Sequence, residues 1–288
     1  MKLSDCSLLV ALNISQWTAR KYDKNATKEI AIKHGIDSVV GRYNKSLMPF
    51  TDMLNNINNA STVLRTAFYT NTLPYTYEGV RLLPSRNYLD FVTLMNGHIA
   101  NRQLSVDMFL AHYMELVDNA EDNLGPLYNP TDYPTPEAIK EKFSVNLTVS
   151  PVPDSAGFYD ILTEAIAKER ADELVKKHES TAHKAMQECW QRLYAVVSKF
   201  PEKLVNETKS LRVDHVHSMI HNAEEMCELL AKLNILNDPN LEAMRLEVQK
   251  LLCGYSPEVV SSHDVTKEKI RADAEAIMRK MSAFMGPT

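Results

Sequence analysis

Glycine is scarce, with 8 in a chain of 288 residues. Few positions can therefore take φ > 0 without cost, which argues against glycine-rich nucleotide loops and against a turn-dense all-β fold. Neither Gly-x-x-x-x-Gly-Lys nor Gly-x-Gly-x-x-Gly occurs, so no phosphate-cradling loop is expected. The Gly-x-Ser-x-Gly elbow and the local Cys-His signatures of nucleophilic enzymes are missing too. Cysteine is sparse. Cys6, Cys189, Cys227 and Cys253 form no Cys-x-x-Cys pair, which argues against a zinc ribbon or small disulfide scaffold and leaves reduced, structural thiols. No stretch approaches the ~20 apolar residues of a membrane span. The apolar run Leu8 to Leu12 has only Lys2 ahead of it and stops at Asn13, so no secretory signal is read. The Asn-x-Ser/Thr triplets at Asn13, Asn25, Asn44, Asn59, Asn146 and Asn206 are then chance matches. A soluble cytoplasmic protein without a cofactor is expected.

What is present is ordinary globular composition, 44% apolar and 24% charged, enough to bury a sizeable core. Leu8, Val10, Leu12 and Ile14 alternate at the period of a strand. A polar, basic segment compatible with a helix follows from about Gln16 to His34 and is ended by Gly35. Pro49 suits the first turn of a helix running to about Thr72, with Met53, Ile57, Ala60, Leu64 and Phe68 on one stripe. Tyr75 to Pro84 reads as an ordered loop or short strand. A long helix, bent near Gly97, is expected from Ser85 to about Leu124, with Gly125-Pro126 as its stop.

Residues 125–136 form a loop, and Thr135-Pro136-Glu137 begins a short helix. Phe143, Val145, Leu147 and Val149 give a second strand. Because an isolated strand leaves its backbone groups unpaired, the two strands pair with each other or with the 75–84 segment. From Tyr159 to Lys199 the pattern predicts a helix of about forty residues carrying Leu162, Ile166, Leu174, Met186, Trp190, Leu193 and Val197. Asp214, Asp238 and Asp264 mark further helix starts. The expected fold is mainly α, with long antiparallel helices and a small two- to three-stranded β-sheet. An N-terminal α+β region over 1–158 and a helical region over 159–288 are expected to join as one continuous structural unit.

Chemistry-bearing clusters are few. His217 and His221 are four apart on one helix face with Glu224 a turn further on, a spacing that can hold a divalent metal. The residue after His217 is Ser218, so the general base of the His-Glu-x-x-His hydrolases is missing and solvated helix-face residues are the simpler reading. His178 and His183, five apart, fall roughly 140° apart around a helix and read as surface residues. Cys189 and Cys227 meet only if their helices pack. Adjacent acids such as Glu224/Glu225 and Asp172/Glu173 diverge on a helix and make poor acid/base pairs.

The net charge of −5 hides an asymmetry, since seven basic residues between Trp17 and Ser46 outnumber three acidic ones. Trp17, Tyr22 and Tyr43 are interleaved there with Arg20, Lys21, Lys24, Arg42 and Lys45. That combination supplies stacking surfaces and phosphate-neutralising charge, the needs of a nucleic-acid contact or of an acidic partner surface. The plain alternative is that Trp17 and Tyr22 face the core and the lysines are only solvated.

The run Ile14-Ser15-Gln16-Trp17-Thr18-Ala19-Arg20-Lys21, followed by Gly41-Arg42-Tyr43-Asn44-Lys45, resembles the N-terminal part of an uncharacterised bacteriophage and prophage family, a domain of unknown function (3150). Leu73-Pro74 with Gly79 and Arg81, Leu83-Pro84 with Asn87-Tyr88, Asp132-Tyr133-Pro134, Phe143 and Pro151-Val152-Pro153 extend the resemblance to about Asp160. It implies a phage-encoded protein in a bacterial cytoplasm and supplies no catalytic residue. Relatives encoded near ATPases of the AAA+ class make an accessory role imaginable.

The function expected is non-enzymatic: a helical protein acting by binding and self-assembly as a homo-oligomer, with its basic segment contacting nucleic acid. Long amphipathic helices motivate the assembly, because exposed apolar stripes are readily buried against copies of the same chain. One alternative is an accessory or inhibitory module docking on a host or phage machine such as an AAA+ ATPase. The other is a metal-dependent enzyme built on His217, His221 and Glu224.

Overall fold

The computed structural model describes residues 2–37, 39–159, 161–205 and 212–285. Asp160 and Asn206, both named above, lie outside the described residues. In chain order the first half contains α1 (Leu3–Cys6), β1 (Ser7–Ser15), β2 (Arg20–Tyr22), α2 (Lys24–His34), β3 (Asn44–Ser46), α3 (Met53–Thr70), β4 (Leu73–Pro74), β5 (Val80–Pro84), α4 (Tyr88–Ala111) and α5 (Tyr113–Leu124). The second half contains α6 (Pro136–Lys140), β6 (Ser144–Pro151), α7 (Ala156–Tyr159), α8 (Glu164–Val197), α9 (Lys199–Val205), α10 (Val213–Leu233), α11 (Pro239–Leu251), α12 (Pro257–Ser262) and α13 (Asp264–Met285). The protein is mainly helical with a small strand content, as the periodicities predict.

The chain forms two compact units, one of Met1–Ala11, Tyr69–Phe91 and Thr148–Thr288, the other of Leu12–Phe68 and Val92–Leu147. Residues 1–11 and 69–91 thus group with the C-terminal helices, where the sequence reading had divided the chain between 158 and 159.

In the first unit, apolar residues recur at helical intervals: Ala185, Cys189, Leu193 and Val197 on α8, Val216, Ile220, Ala223, Cys227 and Leu230 on α10, and Ile270, Ala274, Ile277 and Met281 on α13. These stripes face one another and make one core. The α8 and α10 helices run antiparallel, because the Cys189 thiol meets the Leu233 carbonyl at 3.9 Å while Val196, a turn or two later, lines a groove with Met219. Trp190 stacks on Phe284 with ring centroids 5.0 Å apart. The sheet has the order β4-β5-β1-β6. β1 pairs antiparallel with β5, Ser7 opposite Pro84 through Ala11 opposite Val80, and β5 pairs with β4 through Leu82 opposite Leu73. The predicted pairing of the two alternating strands and the 75–84 segment is therefore realised in one sheet, with one more strand than expected. Leu73 and Leu82 reach the helical core.

The second unit is built on aromatic packing. Phe109 lies 5.6 Å from Phe143, 5.7 Å from Tyr113 and 6.3 Å from Trp17, centroid to centroid. Leu47, Met48, Ile57, Val106 and Ile139 complete this core. Arg102, 1% exposed, lies within the unit, and its guanidinium donates to Ser61 Oγ at 2.8 Å and the Ser15 carbonyl at 2.9 Å.

Local expectations fail where a side chain or a turn overrides periodicity. The helix anticipated from Gln16 starts only at Lys24, because Ala19 takes φ 50° and Arg20–Tyr22 pairs as a strand with Asn44–Ser46. Asp23 then caps α2, its Oδ1 accepting from the Asn25 and Ala26 N–H groups at 3.0 Å each. Gly35 ends the helix at φ 61°, as its sequence position suggests. The long helix is interrupted not at Gly97, which lies inside α4, but at His112, with φ −102° and ψ 2°. The His112 ring reaches back to the Met108 carbonyl at 2.9 Å, competing for an acceptor at the helix end. Asp238 is the N-cap of α11, whereas Asp214 lies in the first turn of α10 behind Arg212.

Candidate polyanion-facing ribbon

Strands β2 and β3 make a two-stranded ribbon in which Arg20 faces Ser46, Lys21 faces Lys45 and Tyr22 faces Asn44. Side chains alternate along a strand, so Lys21 and Lys45 share one face while Arg20 and Tyr22 share the other.

Lys45 does not belong to an exposed basic surface. It is 4% exposed, and its Nζ donates to the Leu127 carbonyl at 2.6 Å and pairs with Asp132 Oδ2 at 2.8 Å and Asp23 Oδ2 at 3.3 Å. Burial alone would lower its pKa, and the carboxylates of Asp132 and Asp23 outweigh that and hold it above the ordinary ammonium value. Asp23 is held below the usual carboxylate range by the Ala26 N–H and by Lys45. The sequence reading counted Lys45 as a binding cation; its reach across a narrow ribbon into a pocket of two acids makes it a structural one. Lys21, on the same face, lies 3.9 Å from Asp132 and keeps an exposed side chain.

Trp17 is likewise turned inward, packing edge-on against Tyr113 at 6.1 Å and against Phe109. It anchors the segment that leads into the ribbon, as the plain alternative anticipated. Tyr22 and Tyr43 are 39% and 36% exposed. The Arg42 guanidinium lies over the Tyr22 ring, 5.8 Å from its centroid. Arg20, Lys24, Lys28 and Lys33 are exposed. The ribbon is tied to α2 by the Tyr43 N–H donating to Thr27 Oγ1 at 3.0 Å and the Asp23 N–H donating to the Tyr43 carbonyl at 3.0 Å. A surface groove of about 220 Å³ beside it is lined in part by Ile30, Ile36, Arg42 and Tyr43. Of the eight residues singled out, Arg20, Lys21, Tyr22, Lys24, Arg42 and Tyr43 remain accessible.

The histidine cluster does not assemble a metal site. His217 and His221 stack with centroids 6.0 Å apart, but His221 Nε2 pairs with Glu225 Oε1 at 3.3 Å rather than with Glu224. Among the described residues no group of three His, Cys, Asp or Glu side chains is placed to hold a metal ion. The neighbour of Cys227 is Cys253, whose thiol hydrogen-bonds with it, and not Cys189. Burial pushes the Cys189 thiol up to about 12. His183 is exposed, as expected of a surface residue, whereas His178 is partly buried and its pKa is lowered by desolvation. Sequence reasoning missed that change of environment, and the cavity beside it, because the residues involved come from four separate segments.

Among the described residues no helix is long and apolar enough to cross a membrane. The chain matches no family model, no curated protein and no solved structure.

Proposed function

We propose that this is a non-enzymatic helical binding protein of bacteriophage or prophage origin, working in the host cytoplasm, that contacts nucleic acid through the β2–β3 ribbon and α2. One observation carries the reading: an exposed arginine lies over an exposed tyrosine ring, Arg42 on Tyr22. Around them Arg20, Lys21, Lys24, Lys28, Lys33 and Arg42 are exposed, while Asp23 is occupied by Lys45. Exposed aromatic rings stack on bases for about 1–3 kcal/mol each, and cations alongside them neutralise phosphates. Fluorescence anisotropy with a labelled single-stranded oligonucleotide tests it. Affinity should fall steeply with salt, and Arg20→Glu and Arg42→Glu should each weaken binding about tenfold at low salt. Binding insensitive to both salt and charge reversal would remove the ribbon from the function.

A second reading, docking on an acidic protein surface, is favoured by a different observation. Ile32, Val39 and Val40 are 81%, 87% and 73% exposed beside the same basic residues. An apolar centre with a charged rim suits a protein interface better than a phosphate backbone. The partner is a host or phage machine or a second copy of this chain. Self-assembly through α10 and α13 has less to bury, because these helices and the C-terminal part of α8 pack their stripes on one another, while Leu104 and Met108 on α4 stay 63% and 62% exposed. Val39→Ser with Val40→Ser separates the readings, since it should abolish protein association in light scattering or pull-down while leaving oligonucleotide affinity unchanged.

A further inference from the structure

Two of the four thiols are in contact, and both belong to the first unit. Cys227 lies on α10, 0% exposed, and its Sγ donates to the Arg245 carbonyl on α11 at 3.6 Å. The Cys253 thiol hydrogen-bonds with it from the bend that follows α11. Cys253 is partly exposed, so the pair joins one buried sulfur to a residue that reaches solvent. The other two thiols face carbonyl oxygens, Cys189 that of Leu233 at 3.9 Å and Cys6 those of Lys2 and Leu3 at 3.6 Å each. A disulfide requires its sulfurs to meet at about 2.0 Å, and for Cys227 and Cys253 that movement falls on the bend 253–255, between α11 and α12.

The surroundings divide the roles. The hydrogen bond from Cys253, helped by the Arg245 guanidinium, holds the Cys227 thiol below its ordinary range against burial and against Glu224 and Glu228. Cys253 is held above that range, first by the same hydrogen bond and then by burial. The first proton to leave is therefore that of Cys227, and a shift of the remaining proton along the hydrogen bond passes the negative charge to Cys253, the member nearer solvent. We infer that Cys227 and Cys253 form a redox site that closes reversibly to a disulfide by exchange with a low-molecular-weight disulfide of the glutathione class. The Cys253 thiolate attacks one sulfur of glutathione disulfide, forming a mixed disulfide and expelling a glutathione thiolate. Cys227, deprotonated in turn, attacks the Cys253 sulfur and expels the second. Two protein thiols are oxidised, one glutathione disulfide is reduced, and the two thiol protons end on two glutathione molecules. Such a site suits a reducing compartment, where disulfides are mostly transient and redox-sensing.

Incubation of the full chain with glutathione disulfide, quenching with N-ethylmaleimide, and intact-mass and peptide analysis test this. The native chain should lose two of its four thiols in a single link between Cys227 and Cys253, and dithiothreitol should restore both. Cys227→Ala should stop at a glutathione adduct on Cys253. Cys253→Ser should give neither adduct nor link, because the buried Cys227 is then out of the reagent's reach. Retention of all four thiols by the native chain, under conditions in which the urea-unfolded chain is fully oxidised, would overturn the inference without any variant having to fold. So would a link that includes Cys6 or Cys189, or a glutathione adduct on Cys227 in the Cys253→Ser chain.

Discussion

The Lys45 ammonium has three oxygen partners and almost no water. Removing it leaves Asp132, whose side chain is 9% exposed, and Asp23, at 15%, facing each other with only the exposed Lys21 ammonium nearby, 3.9 Å from Asp132. Breaking a buried pair from one side costs about 3–5 kcal/mol, more than the pair itself contributes. Lys45→Met should therefore lower stability by about that amount in urea unfolding, and Lys45→Met with Asp132→Asn should recover part of it. The pH dependence has two edges. Asp23 is depressed, so its contribution is present above the ordinary carboxylate pKa of about 3.9 and is lost as pH falls through its lowered value. Lys45 is raised, so its contribution is complete below about 10.4 and is lost as pH rises through its raised value. The stability gap between native and Lys45→Met chains should be flat from about pH 4 to 10 and close outside that window. A gap that varies across neutral pH would mean that another group titrates with the network.

At the scale of elements, what could be read in the sequence was what depends on a residue and its near neighbours. The alternation of Leu8 to Ile14 and of Phe143 to Val149, the Gly35 stop and the Asp238 cap are each decided within a few residues. The ribbon was not legible, because β2 and β3 are three residues each and are held by pairing across the intervening α2. Six of the eight candidate binding residues are accessible as composition suggests; that Lys45 is not was illegible, since it is decided by Asp132, far along the chain. Gly97 is not where the long helix breaks, since α4 continues through it from Tyr88 to Ala111. It sits in open space within α4, with nothing within 4 Å of an added Cβ. Gly97→Ala should then raise the melting temperature, stabilising by about 0.5–1 kcal/mol through helix propensity. If α4 bent at this position as the sequence reading had it, the substitution would destabilise instead.

At the scale of the whole molecule, chain order and spatial order part company. The first unit draws on three segments, and its core takes Leu3 and Val152 from outside the C-terminal helices together with Leu73 and Leu82 from the sheet. No composition shift marks this, because a buried leucine in a short strand looks the same whichever core it fills. The consequence can be measured. A fragment of residues 159–288 keeps α8 to α13 but loses all four of those side chains, each 4% exposed or less in the intact chain. Burying one such side chain is worth about 1.5–3 kcal/mol, so their combined loss approaches the roughly 5–15 kcal/mol that a domain has in total. The fragment should keep helical circular dichroism yet melt without cooperativity, bind a hydrophobic dye, and associate at micromolar concentration. A fragment that unfolds cooperatively within a few degrees of the full chain would show that the helices form a sufficient core alone.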